Sequence, residues 1–152
     1  MPAVTDRKTL ALLAACQALL LINASGLISM QGLVGYMLAE TKSLATLGAT
    51  TYVIGSALAA MPAALWMARV GRRAGFMTGA FINIVGCGLA ALALHLRSFP
   101  LFCVATAIIG IYQAIGLQYR FAAAEVAAPA DRAKAISWVL AGGIAGGILG
   151  PE

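Results

Sequence analysis

The chain has 152 residues, of which 62% are hydrophobic and 10% charged, with a formal net charge of +5. A soluble domain carries roughly 25% charged residues and turns most of its area to water, so a soluble fold of this length has nowhere to hide so much apolar surface. A nucleic-acid partner is excluded as well, because the cations fall in short clusters between apolar runs and form no continuous basic face.

Five hydrophobic segments follow one another along the chain. They run from Thr9 to Val34, Ala45 to Ala68, Gly75 to Leu96, and Leu101 to Tyr119, with a fifth from Ala135 that is still running at Glu152. A helix needs about 20 residues to cross roughly 30 Å of hydrocarbon. The first four segments meet that length, the fourth at the short end, and the fifth supplies most of a further span. None shows the period-two alternation of barrel strands. The expected fold is therefore an all-α membrane protein, a polytopic bundle of transmembrane helices in contact with the lipid bilayer. The connectors, Tyr36–Leu44, Arg69–Ala74, Arg97–Pro100 and Arg120–Lys134, are too short to hold a soluble domain. Arg7 and Lys8 precede the first apolar run, but no convincing cleavage site follows, so the start does not read as a secretory signal.

The basic residues orient the bundle. Arg7, Lys8, Arg69, Arg72, Arg73, Arg120, Arg132 and Lys134 fall on one side, and Lys42 and Arg97 on the other. Cations collect on the cytoplasmic side of membrane proteins. The N-terminus is therefore expected in the cytoplasm.

No catalytic constellation is visible. His95 stands alone near a span end, and there is no HExxH, no phosphate-binding glycine loop and no carboxylate pair within one span. Cys16, Cys87 and Cys103 each lie in an apolar run without a CxxC partner and read as small buried side chains. Neither enzyme activity nor a metal or cofactor is expected.

Polar residues inside the spans carry more information, since each is costly in lipid unless it faces protein or water. The first span holds Gln17, Asn23, Ser25, Ser29 and Gln31. Asn23, Gly26 and Gln31 fall within about 140° on a helical wheel. In the fourth span Thr106, Gly110, Gln113 and Arg120 fall within about 80°. Two readings stay open for these stripes: hydrogen bonding between helices, or the wall of an aqueous substrate cavity. Glycines recur at four-residue spacing at 75/79, 142/146, 143/147 and 146/150, which permits close helix packing or flexibility. Gly150-Pro151 favours a bend in the fifth segment, and Pro62 favours one in the second.

Together these features resemble the major facilitator superfamily. The connector Ala68-Arg69-Val70-Gly71-Arg72-Arg73 matches the second half of that family's G-x-L-x-D-R-x-G-R-R/K pattern. Ala68 stands where the family has its Asp, and Ala64 where it has its first Gly, so the relay role of that Asp is not carried over. Gly146-x-x-x-Gly150-Pro151 matches the G-x-x-x-G-P pattern of the fifth span in antiporter members. The stripes in spans one and four sit on helices that line the family's cavity. The family's membrane-embedded arginine of span four finds Gly110 at its nearest position, and its coupling role is not carried over either.

The resemblance implies a transporter of twelve spans in two halves, with a small-molecule substrate bound between them. Residues 1–152 would be a partial N-terminal bundle whose partner is the missing C-terminal part of the same chain. Secondary transport by alternating access is implied, coupled to protons or another ion or to the solute's own gradient, in a bacterial inner membrane. Asn23, Gln31, Thr106 and Gln113 are the cavity candidates. Arg69, Arg72 and Arg73, around Gly71, would meet Glu125 or Asp131 at a cytoplasmic gate. Asp131 would alternatively cap the fifth helix. Gly146, Gly150 and Pro151 would form the bend, and the antiporter pattern implies efflux. The cavity candidates contain no buried charge pair, which favours a neutral or amphipathic substrate. A membrane scaffold or sensor without transport is the competing class.

Overall fold

The computed structural model describes residues 7–39, 42–127 and 129–149. Among them there is no strand. The helices are α1 (Arg7–Leu38), α2 (Leu47–Val70), α3 (Arg72–His95), α4 (Phe99–Gly116), α5 (Tyr119–Val126) and α6 (Arg132–Leu149), with 3-10 turns at Lys42–Leu44 and Pro129–Asp131. Gly150 and Pro151 lie outside the described residues.

Among the described residues four stretches are helical, long and apolar enough to cross a membrane: Arg7–Leu38, Leu47–Val70, Arg72–His95 and Phe99–Val126. They correspond to the first four hydrophobic segments. The 32 residues of α1 span about 48 Å at 1.5 Å per residue, well beyond the hydrocarbon thickness. α6 has 18 residues and starts on Arg132 and Lys134, and it is not one of those four. Large apolar side chains point outward along the spans: Leu58, Met61 and Ile84 are 72%, 73% and 69% exposed. Such exposure is unfavourable in water and costs nothing in lipid, whose tails solvate these side chains.

Two connectors differ from expectation. Between α2 and α3 only Gly71 is non-helical, where a connector from Arg69 to Ala74 was expected. Gly71 takes φ 93° and ψ 155°, which a residue with a Cβ rarely adopts, and its N–H donates to the Met67 carbonyl at 2.9 Å. Arg69 thus sits in the last turn of α2, where the helix dipole favours a cation. Arg72 and Arg73 open α3, where the dipole opposes them. Helix stability does not explain those two residues. The second difference is α5, which forms inside the expected Arg120–Lys134 connector. Tyr119, Ala122 and Ala123 are buried at i, i+3, i+4 spacing, so this short helix has a packing face.

Arg97, just beyond the end of α3, takes a left-handed φ of 51°. Ser98 N–H donates to Ala93 O at 2.9 Å and Arg97 N–H to Leu94 O at 3.2 Å, which satisfies carbonyls that the helix end would otherwise leave open.

The chain divides into two compact units. One comprises Met1–Gly26 with Gly116–Glu152, the other Leu27–Ile115. In the first unit α1 and α6 run parallel: Gly142 lies against Ala14, and Gly143 against Leu21 and Gln17. α5 packs on α6 as a helical hairpin. In the second unit α2 and α4 run parallel, with Gly48 against Phe102 and Gly55 against Ala107. α3 runs antiparallel to α4, with Gly79 on Ile115 and Gly86 on Ile109. Ala63, Met67 and Ile115 form a buried cluster there, flanked by Phe76, Ile82 and Ile111. The glycine spacings of span three therefore serve close packing; Gly88, two residues beyond Gly86, has nothing within 4 Å of where a Cβ would stand.

Candidate functional site

Two glutamines on α1 stand out by burial. Gln31 is 1% exposed, and neither its Oε1 nor its Nε2 has a hydrogen-bond partner. Gln17 is 4% exposed, and its Oε1 has none. Leaving a buried amide without a partner costs about 1–3 kcal/mol. By spacing alone, positions 17 and 31 fall about 40° apart on an ideal helix, on the same side of α1. Gln31 was among the expected cavity residues. Gln17 was visible as a polar residue of the span but was not in that set; its place on the Gln31 side of the helix was the available signal.

Thr106 is equally buried and has quite different surroundings. Its hydroxyl lies 2.7 Å from Thr51 Oγ1 and donates to Cys103 O at 2.9 Å. Thr51 in turn reaches the Leu47 and Gly48 carbonyls, each at 3.0 Å. One turn on, Gly110 meets the Tyr52 carbonyl so closely that no Cβ fits. The Thr106–Gly110 part of the expected stripe thus faces α2 in a closed seam. Gln113 is half-buried, as is Asn23 on α1. Arg120 is half-buried too. Its Nε lacks a partner, and its guanidinium carbon sits 5.1 Å from the centre of the Phe121 ring, within cation–π range.

The expected gate residues fall in different units. Arg69, Gly71, Arg72 and Arg73 belong to the second unit, where Arg72 Nη1 lies 3.8 Å from Met67 Sδ. Glu125 and Asp131 belong to the first unit, and both are exposed. Asp131 ends the turn just before α6 and, with Arg7, Lys134 and Trp138, lines an open groove of about 510 Å³. A second groove of about 390 Å³, almost wholly apolar, lies between α2, α3 and α4 along Pro62, Met67, Ile82 and Ile111. Gly146 lies within α6, while the rest of its motif, Gly150 and Pro151, is outside the described residues.

Cys16 and Cys103 are half-buried, and Cys87 is exposed, contrary to the expectation of a buried thiol. Among the described residues no three His, Cys, Asp or Glu side chains gather closely enough to hold a metal ion.

No solved structure matches this chain. A riboflavin transporter of Brucella anthropi, RfnT, is 37% identical over 150 residues, which covers 99% of this chain and 38% of that protein. An uncharacterised MFS-type transporter of Bacillus subtilis, YddS, is 32% identical over 123 residues, covering 78% of this chain and 28% of that protein. The chain therefore spans well under half the length of either relative. The family model for the Major Facilitator Superfamily matches residues 11–151, which takes in nearly all of the four candidate membrane spans described above. With its apolar helices and this near-complete match, the chain is a multi-pass membrane protein that belongs to the Major Facilitator Superfamily.

Proposed function

We propose that this chain is part of a secondary transporter that carries a small solute, a flavin, across a bacterial inner membrane by alternating access. Gln31 carries the reading. A fully buried amide with both ends unpartnered has a donor and an acceptor ready for a neutral solute. The imide edge of a flavin ring, with an N–H beside carbonyls, presents the complementary pattern. The 37% identity to a riboflavin transporter supports the same class of solute. Transport, and not catalysis, fits a membrane helix bundle of this family.

In this reading Gln31, Asn23 and Gln113 contact the solute path, and Thr106 holds α2 to α4. The cations at Arg69, Arg72 and Arg73 fix the N-terminus in the cytoplasm and pair with Glu125 or Asp131 when the transporter faces outward. Exposed pairs contribute under about 1 kcal/mol each, so the gate acts as a network. Coupling to protons or another ion drives the cycle, and Gly146-x-x-x-Gly150-Pro151 supports export.

The test uses the full-length protein in proteoliposomes. Saturable riboflavin flux above that of protein-free vesicles is expected, and an imposed proton gradient sets its direction. No riboflavin flux in either direction overturns the flavin reading. A reporter fused at Ser98 is expected to read as periplasmic; a cytoplasmic signal overturns the orientation.

A further inference from the structure

The open groove of about 510 Å³ lies wholly within the first unit, between the beginnings of α1 and α6. On the α1 side its lining steps through Arg7, Leu10, Ala11 and Ala14; on the α6 side it steps through Asp131, Lys134, Ala135 and Trp138. Both sets follow i, i+3, i+4, i+7 spacing, so each side presents one stripe, charged at its start and apolar beyond. The two helices run parallel, which puts both charged starts at the same end of the groove. At the other end the helices close on each other: a Cβ on Gly142 would lie 2.9 Å from the Ala14 carbonyl oxygen. From Arg7 to Ala14 the stripe is about 10 Å long at 1.5 Å per residue. Arg7 opens a helix long and apolar enough to cross a membrane, so this charged end stands at headgroup level. Trp138 is 67% exposed one turn further along, where an indole suits the boundary between headgroups and acyl chains.

We infer that this groove seats a phospholipid headgroup that carries an ammonium beyond its phosphate, as phosphatidylethanolamine does. Charge complementarity selects the occupant. The phosphate accepts hydrogen bonds from Arg7 and Lys134, and the ammonium donates to Asp131. The first carbons of the acyl chains then lie along Ala11, Ala135 and Trp138. A free phosphate meets the same two cations but leaves the apolar stripe bare. Phosphatidylglycerol uses the cations and the stripe, and its hydroxyls can donate to Asp131, but it brings no positive charge to that carboxylate. Asp131 is therefore the residue that sets the headgroup preference. An ion pair of Asp131 with Lys134 inside the groove is the competing arrangement, and it erases any such preference. The assignment is independent of the flavin reading, and it leaves Glu125 as the carboxylate of the cytoplasmic gate.

The test is native mass spectrometry of the full-length protein in detergent, titrated with phosphatidylethanolamine or phosphatidylglycerol of identical acyl chains. The wild type is expected to bind phosphatidylethanolamine about 10-fold more tightly. Asp131→Asn is expected to weaken that lipid about 10-fold and to bind phosphatidylglycerol no less well than the wild type, which erases the preference. Retained phosphatidylglycerol binding certifies that this variant is folded. Arg7→Gln combined with Lys134→Gln is expected to weaken both lipids, with an unchanged unfolding temperature as its check on folding. Arg132→Gln removes a neighbouring cation that does not line the groove, and the preference is expected to survive it. Equal binding of the two lipids by the wild type overturns the assignment, as does a preference that persists in Asp131→Asn or is lost in Arg132→Gln. Binding of neither lipid overturns it too, since the rest of the chain then covers the groove. Displacement of bound phosphatidylethanolamine by riboflavin also overturns it and gives the groove to the solute.

Discussion

Thr106 and Gln31 are buried to almost the same degree, 0% and 1% exposed, yet their surroundings are opposites. On the α2–α4 seam the Thr106 hydroxyl has a partner for each of its roles, and the next turn closes on the Tyr52 backbone. On α1 the Gln31 amide has none. Burial is thus a poor guide to purpose in a membrane protein. Hydrogen-bond satisfaction is the better one: a matched polar side chain joins helices, and an unmatched one awaits water or a solute.

Three substitutions, with a fourth as control, sharpen or break that contrast. The largest effect is expected from Gln31→Leu, which should lower riboflavin flux about 10-fold or more in proteoliposomes. The same change removes an unsatisfied amide and should stabilise the protein by about 1–2 kcal/mol, read as a higher unfolding temperature in detergent. Undiminished flux would place Gln31 with Thr106 as a structural residue. Next is Gly110→Ala, whose methyl meets a backbone carbonyl that cannot move aside; a loss of about 1–3 kcal/mol is expected by denaturant titration. Gly88→Ala, which meets nothing within 4 Å, is the control and should show no such loss. The smallest effect belongs to Thr106→Val. It should cost about 1 kcal/mol or less, with flux retained, because a single interhelical hydrogen bond in a membrane contributes no more than that. A large loss of flux from this variant, with stability intact, would move Thr106 into the solute path.

The four spans were readable from the chain because lipid imposes a simple requirement. About 20 consecutive apolar residues must satisfy their own backbone, and only a helix does so in one segment. The α5 helix was less readable. Arg120 and Glu125 give the stretch the polarity of a connector, and its packing face is only Tyr119, Ala122 and Ala123. The stripe of span four is a pattern of positions only. A wheel reports the direction a side chain takes from its own axis but not which helix stands there. In this case α2 stands against Thr106 and Gly110, while Gln113 lies further along, half-buried.

Composition, run length and cation placement thus determined, by themselves, that this chain is a membrane helix bundle, and its short motifs pointed to the family. These are local properties: each helix is specified by its own residues and by the solvent around it. Which polar groups are matched was decided only in the tertiary structure. Thr51 and Thr106 are 55 positions apart and meet because α2 and α4 run parallel, and Leu20 finds Gly116 by a similar long-range approach. A hydrogen-bond partner is supplied by a neighbour in space, so the distinction between Thr106 and the unpaired glutamines of α1 exists only once the helices are packed.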